Sequence, residues 1–158
     1  MLRGAVPQPY AAAQEDGPRL DQYASEMKSA MDAVREILHA ARLDSLLVLV
    51  ADQGWTFDDS NTPQLHIYAG IEIWGNSAIA GLGEPNAVTR LPCDARTADL
   101  LVEELTSAGF DIAESRGIYA PAGNPQMGVV ASFVEPMRDL ACNLPVVPVH
   151  INCHVEPV

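Results

Sequence analysis

The chain has 158 residues, of which 48% are hydrophobic and 19% are charged. This combination predicts one folded domain with a substantial core and excludes a disordered chain. The formal net charge of −12 argues against nucleic acids and anionic membrane surfaces as partners. No apolar run approaches the roughly 18 residues of a membrane span, and no signal-peptide pattern opens the sequence. Cys93, Cys142 and Cys153 show no CxxC spacing, which favours reduced thiols and a cytoplasmic protein.

The first 17 residues contain Pro7, Pro9 and Gly17 and predict an irregular N-terminal segment. A helix start follows at Asp16-Gly17-Pro18, where proline is tolerated because the first amides of a helix have no partner. From there to Ala41, apolar residues recur at helical spacing and predict an amphipathic helix of about six turns that packs on a sheet. This stripe consists of Tyr23, Met27, Ala30, Met31, Val34, Ile37, Leu38 and Ala41.

The aliphatic run from Leu46 to Ala51 is too short for a stable helix and predicts a strand that is buried on both faces. It opens into the polar loop Asp52-Gln53-Gly54. Open α/β sheets place their sites at the carboxyl ends of such strands. We therefore expect any functional site to lie at this loop.

The segment Leu65–Trp74 is rich in β-branched and aromatic residues and predicts one or two strands with a bend at Gly70. Residues 75–92 contain several glycines and predict a long surface connection. Asp94 is a predicted N-cap for a helix that Gly109 ends. Asp111–Ser115 then predicts a short strand.

A third helix is predicted from the cap Asn124-Pro125 to about Pro136. The segment Leu144–Asn152 predicts the last strand. Because Pro145 and Pro148 cannot donate backbone hydrogen bonds, we expect this strand at an edge, or paired on one side at the prolines. The alternation of elements predicts an α/β fold with a central mixed sheet and helices on both faces.

Several polar and aromatic groups are candidates for a site. On a strand, His150, Asn152 and His154 would share one face and could bind a metal, although no second ligand cluster accompanies them. Asp58 and Asp59 fit a hard cation or, more simply, a solvated loop. Four aromatic residues could stack on a planar ligand or belong to the core, namely Trp55, Phe57, Tyr68 and Trp74. Ser60, Ser77 and Ser115 show no accompanying pattern of a hydrolase triad.

The order of several segments resembles the N-terminal half of the class III extradiol ring-cleavage dioxygenases, the superfamily of the protocatechuate 4,5-dioxygenase catalytic subunit. The resemblance covers roughly residues 42–158 and, more loosely, the first forty. Its most specific pieces are the strand-to-loop segment and the terminal strand. The matching pieces are Asp52-Gln53, Trp55-Thr56-Phe57-Asp58, Asn61-Thr62-Pro63, Gly70, residues 107–113 and Pro145–Asn152.

The resemblance implies an Fe(II) site built from two histidines and one glutamate, which leaves coordination positions open for substrate and oxygen. At the two histidine positions this chain has Gln8 and Gln53, and at a substrate-facing histidine position it has Ala122. The family's glutamate ligand and base histidine belong to a C-terminal half that this sequence does not contain. An amide oxygen is a much weaker iron ligand than imidazole nitrogen, so we expect no iron site and no resident cofactor.

The sequence therefore favours a degenerate extradiol dioxygenase-like protein that acts as a non-catalytic or scaffold subunit. Its expected partner is a protein, either a second copy of the chain or a full-length dioxygenase-like subunit. One alternative is an active Fe(II) dioxygenase component whose ligands come from another chain or from His150 and His154. Another is a module that binds a small phenolic ligand in a pocket lined by Asp52, Gln53, Trp55, Phe57 and Trp74.

Overall fold

The computed structural model describes residues 17–51, 57, 63–76, 88–117, 128–129 and 133–152. These residues form three helices and six strands, which confirms the α/β class. No helix in these ranges is long and apolar enough to cross a membrane. In chain order the elements are α1 (Gly17–Ala40), β1 (Leu46–Ala51), β2 (Leu65–Tyr68), β3 (Glu72–Asn76), β4 (Val88–Pro92), α2 (Ala95–Ser107), β5 (Ala113–Ser115), α3 (Glu135–Asp139) and β6 (Val146–Ile151).

Four strands form a mixed sheet in the order β1-β6-β2-β5, and β3 pairs with β4 in a separate antiparallel sheet. Strand β6 runs parallel to β1 and antiparallel to β2. Of the two predicted alternatives for β6, the edge position is wrong, because β6 lies between two neighbours, whereas pairing on one side is confirmed for Pro148. The ladder to β2 ends at Val149, so Pro148, which has no N–H to donate, is paired with β1 alone.

Helices cover both faces of the four-stranded sheet, as predicted. On one face α2 packs over β2 and β6, where Ala98 meets Ile67 and Val149. On the other face the residues around α3 form a second core with the β3–β4 pair, in which Phe133 and Val134 are fully buried. Successive strand residues point to opposite faces, so β2 and β6 contribute to both cores, β2 through Ile67 and Tyr68 and β6 through Val146 and Val147.

Strand β1 departs from the prediction of burial on both faces, since Leu47 is 51% exposed and Leu49 is 55% exposed. Their register partners on β6 are Val147 and Val149, which lie beneath α2. Helix α2 packs chiefly on β2 and β6 and leaves the β1 side of this face open. Two apolar side chains of the sheet are consequently available for a further contact.

Helix α1 has nearly the predicted bounds but not the predicted packing. None of its residues is buried, and Met27 and Ile37 are 69% and 67% exposed. Two hydrogen bonds from the Arg35 side chain, to the carbonyl oxygens of Leu140 (3.1 Å) and Asp139 (2.9 Å), tie the helix to the end of α3. The prediction that this apolar stripe belongs to the core of the chain is wrong.

The region from residue 65 to residue 76 forms two strands on either side of Gly70, as predicted, but the strands belong to different sheets. The expected surface connection over 75–92 is wrong at both ends, because Asn76 pairs with Val88 in the β3–β4 ladder. Strand β4 has five residues, in which two adjacent polar residues, Thr89 and Arg90, interrupt any alternation, so this segment carries no periodic strand signal.

Helix α3 begins later than predicted. It starts at Glu135, whereas Gly128 and Val129 extend the small sheet, with the Val129 amide donating to the carbonyl oxygen of Trp74 at 3.0 Å. Gly128 has a φ of +66°, a left-handed conformation that interrupts any helix. The predicted cap Asn124-Pro125 lies outside the described residues.

The predicted N-cap of α2 is confirmed. One carboxylate oxygen of Asp94 accepts from the Thr97 amide at 3.0 Å, and the other accepts from the Thr97 hydroxyl at 2.6 Å. These bonds favour the ionised carboxylate and lower the pKa of Asp94 below its usual value. Gly109, with a φ of +92°, follows the other end of the helix, as the sequence predicts.

We expect Asp94→Ala to reduce the free energy of unfolding at pH 7 by about 1 kcal/mol, the usual worth of such a cap. Because the folded state lowers the pKa, this contribution is present above pH 4 and disappears as the carboxyl is protonated in acid. Urea unfolding of both proteins at pH 7 and near pH 2.5 measures the difference. Glu103→Ala, at an exposed acid of the same helix, is the control, and an equal loss there would contradict the capping role.

Candidate functional site

Two buried histidines face each other across the centre of the mixed sheet. His66 on β2 and His150 on β6 are directly opposite in the antiparallel ladder, and each is only 4% exposed. Their Nδ1 atoms are 3.1 Å apart. Side chains that are opposite in such a ladder project to the same face and come into contact, so the register alone brings the two rings together.

A serine extends this contact to a third side chain. Strand β5 pairs with β2, and its last residue, Ser115, places Oγ 2.8 Å from Nε2 of His66. A neutral imidazole has one N–H donor and one acceptor nitrogen. The Nδ1–Nδ1 contact therefore requires one ring to donate there, and the protons of His66, His150 and Ser115 are coupled.

Phenylalanine rings hold the histidine pair on two sides. Phe57 lies edge-on to His66 and His150, with ring centroids 4.9 and 5.5 Å apart. Phe133 lies edge-on to His150 at 4.9 Å. Edge-to-face contacts of this kind fix ring orientation. The pair is thus a polar group with defined geometry inside an apolar surrounding.

The space beside the pair is small. A cavity of about 10 Å³ is lined by both histidines together with Tyr68, Ser115 and Phe133, which is room for one water molecule. No acyl substrate fits beside Ser115 in this cavity.

Tyr68 borders the same cavity. Its hydroxyl donates to the carbonyl oxygen of Glu72 at 2.8 Å, and burial raises the pKa of this phenol. The phenol thus stays protonated at neutral pH and serves as a hydrogen-bond donor that connects β2 to β3.

The residues proposed from sequence fall partly within the described ranges. Phe57 contacts the histidine pair, whereas Trp74 lies on β3 and has Gly128 against its ring. Among the described residues no ring contact joins Phe57 to Trp74, and no group of three or more His, Cys, Asp or Glu comes together. The other proposed positions lie outside the described residues, namely Gln8, Asp52, Gln53, Trp55, Asp58, Asp59, Ala122 and His154.

Sequence reasoning missed the partners of His150. The sequence places His66 only within a predicted strand, and Ser115 has no accompanying His and Asp pattern of a hydrolase triad. The sequence contains only an indirect indication of the histidine pair, since both histidines occur in short segments with β-branched neighbours. Only the strand order shows that these segments are neighbours, and a one-residue change of register would turn one ring to the other face.

A larger cavity of about 240 Å³ lies where α1 meets the loop between α3 and β6. Arg35, His39 and Arg42 line it together with several leucines. Helices α1 and α3 both end there, and their last carbonyl groups attract basic side chains. Arg35 binds two carbonyl oxygens at the end of α3, so helix capping is sufficient to explain its place in this cavity.

The cysteines within the described residues do not provide a nucleophile. Cys93 and Cys142 form no disulfide. Burial raises the pKa of the Cys93 thiol to about 12, so that it stays protonated at neutral pH. The expectation of reduced thiols agrees with this arrangement for these two residues.

Comparison with known proteins adds no assignment: no protein-family model matches the chain, and no curated protein matches it.

Proposed function

We propose that the protein is a non-catalytic, extradiol dioxygenase-like subunit that self-associates through helix α1. The observation that carries the proposal is the exposed apolar stripe of this helix. Residues Leu20, Met27 and Val34 are seven apart, as are Tyr23, Ala30 and Ile37, a spacing typical of helices that pair lengthwise. The five larger ones lie among the exposed hydrophobic residues.

The extent of the stripe suits a helix–helix contact. The 24 residues of α1 span about 36 Å. In an antiparallel arrangement with a second copy, Leu20 would face Ile37, and Tyr23 would face Val34. Contacts of this kind supply the apolar burial that α1 lacks within its own chain. The exposed Leu47 and Leu49 of β1 offer further apolar area.

The charge distribution favours a second copy as the occupant. Between residues 17 and 40 there are three basic and four acidic residues, a net charge of −1 in a chain of −12. Two copies can therefore meet along α1 without bringing their most acidic surfaces together. Lys28 and Arg35 are paired with Asp32 on the same helix, so these basic groups need no acidic partner surface.

The non-catalytic part of the proposal depends on the sequence. It is supported by glutamine at both positions where the resembled family has iron-binding histidines, Gln8 and Gln53. The only histidines that meet in the described part of the chain are His66 on β2 and His150 on β6. A cytoplasmic location belongs to the same proposal and is supported by Cys93 and Cys142, which form no disulfide in the described part of the chain.

We expect the purified protein to have twice the 16.9 kDa chain mass in light scattering after size exclusion. The double variant Met27→Glu/Ile37→Glu should be monomeric, because four carboxylates would lie in one apolar contact. Ser29→Glu, on the opposite side of α1, is the matched control and should remain dimeric. A monomeric wild type, or a dimer that survives the double substitution, contradicts the proposed interface.

The lack of catalysis is tested separately. The protein is reconstituted with Fe(II) under anaerobic conditions and mixed with catechol or protocatechuate in oxygenated buffer, and oxygen consumption is measured. We expect no uptake above that of iron and substrate alone. Stoichiometric iron with ring cleavage would overturn the non-catalytic assignment while leaving the dimer prediction to be judged on its own data.

A further inference from the structure

The histidine pair has the spacing of two ligands on one ion. Bonds of roughly 2.0–2.1 Å from a divalent metal to two imidazole nitrogens put those nitrogens about 2.9 Å apart at a right angle and about 3.3 Å apart at a tetrahedral angle. The observed distance between the two Nδ1 atoms, 3.1 Å, lies between these values. Either arrangement needs a shift of only a few tenths of an ångström.

We propose that His66 and His150 bind one divalent first-row transition metal ion through their Nδ1 atoms. Imidazole nitrogen suits zinc, copper, nickel and iron, whereas calcium and magnesium prefer oxygen. This site uses other residues than Gln8 and Gln53 and needs no ring-cleavage activity, so it goes beyond the proposed function.

The third side chain supports this assignment. A histidine that binds metal through Nδ1 carries its proton on Nε2, and such a proton is almost always donated to a nearby oxygen. Ser115 Oγ lies 2.8 Å from Nε2 of His66 and provides that acceptor. The same serine would orient the ring toward the ion.

The surroundings favour a fixed site. The two histidines sit on paired strands, and Phe57 and Phe133 hold their rings. No third His, Cys, Asp or Glu joins the pair among the described residues. The adjoining cavity has room for one water molecule, which completes part of the coordination shell.

The protons balance on binding. In the neutral pair each ring carries one N–H, and one of these hydrogens lies between the two Nδ1 atoms. When the ion binds both Nδ1 atoms, that hydrogen moves to Nε2 of its own ring, so the pair neither gains nor loses a proton. Acid adds a proton that competes with the ion, and binding should weaken accordingly.

Calorimetric titration of the chelator-treated full chain with Zn²⁺ tests the proposal. We expect one equivalent to bind, and His66→Gln or His150→Gln to weaken binding at least tenfold. Ser115→Ala should weaken it by about tenfold or more, as loss of a supporting hydrogen bond does. His39→Gln, on the exposed surface of α1, should bind like wild type.

A measurement on the wild type covers the case in which a variant does not fold. In ¹⁵N spectra of the imidazoles, Zn²⁺ should shift the Nδ1 signals of His66 and His150 and leave His39 unchanged. Absence of binding in the titration, or shifts confined to other histidines, would show that the pair shares only a proton. Retained affinity in a folded His66→Gln protein, or loss of affinity in His154→Gln, would equally overturn the site.

Discussion

Phe133→Ala is expected to lower the free energy of unfolding by about 3–5 kcal/mol, the usual cost of removing a buried phenylalanine ring. The side chain is 1% exposed and lies in the core between α3 and the sheet. Its removal leaves a void beside Tyr68, Ile73 and Val146 and takes away the ring that faces His150 at 4.9 Å. Equilibrium unfolding in urea, followed by tryptophan fluorescence, measures the loss.

The matched control for this substitution is Phe110→Ala, because Phe110 is 57% exposed just beyond α2. The same atoms are removed there, but water already surrounds most of the ring. We expect its effect to stay within about 0.5 kcal/mol, as for most surface changes. Similar losses in the two variants would mean that Phe133 is not a core residue.

Gly128→Ala is expected to cost about 3 kcal/mol or more, from two sources. A non-glycine residue at φ +66° is strained by roughly 1–2 kcal/mol. An added Cβ would also stand 2.3 Å from the backbone oxygen of Trp74. That oxygen accepts the Val129 amide, so the clash cannot be relieved without breaking this connection.

Substitutions at two other glycines separate the conformational strain from the steric clash. Gly109 also has a positive φ, of +92°, but an added Cβ there meets nothing within 4 Å. Gly109→Ala therefore measures the conformational strain alone. Gly17 has open space around it and no positive φ, so Gly17→Ala involves neither the strain nor the clash. Thermal unfolding of the three variants should rank Gly128→Ala as the least stable. A cost no greater than that of Gly109→Ala would rule out the close contact with Trp74.

Local chemistry made part of the fold predictable. The cap at Asp94, the stop at Gly109 and the bend at Gly70 each follow from the conformational preference of one residue. The long helical spacing likewise placed α1 within one or two residues of its observed bounds. Such features depend on neighbours in the sequence, and these remain the same whatever the tertiary fold.

The features that were mispredicted depend on distant partners. Nothing near Leu47 or Leu49 in the sequence reveals that α2 stops short of β1. The apolar stripe of α1 has the same pattern whether it faces its own sheet or another molecule. For β6 the prolines left two alternatives open, and only the register shows that Pro148 is paired on one side, one residue beyond the β2 ladder, rather than on an edge strand.

The candidate site was predictable only in its single residues. His150 was a candidate from the start, but the contact with His66 arises from strands 84 positions apart in the chain. Ser115 reaches His66 because β5 lies parallel to β2. The hydrophobic periodicity of the sequence does not reveal which strands are neighbours. The dioxygenase resemblance concerns other positions and remains a prediction.

The strand order has a consequence for how the molecule is made. Residues 146–151 lie between residues 46–51 and residues 65–68, so the strand that is synthesised last among those described lies inside the sheet. During translation, the segments synthesised earlier expose apolar side chains to solvent until that strand leaves the ribosome. Completion of this four-stranded sheet is thus a late event in the synthesis of the described residues.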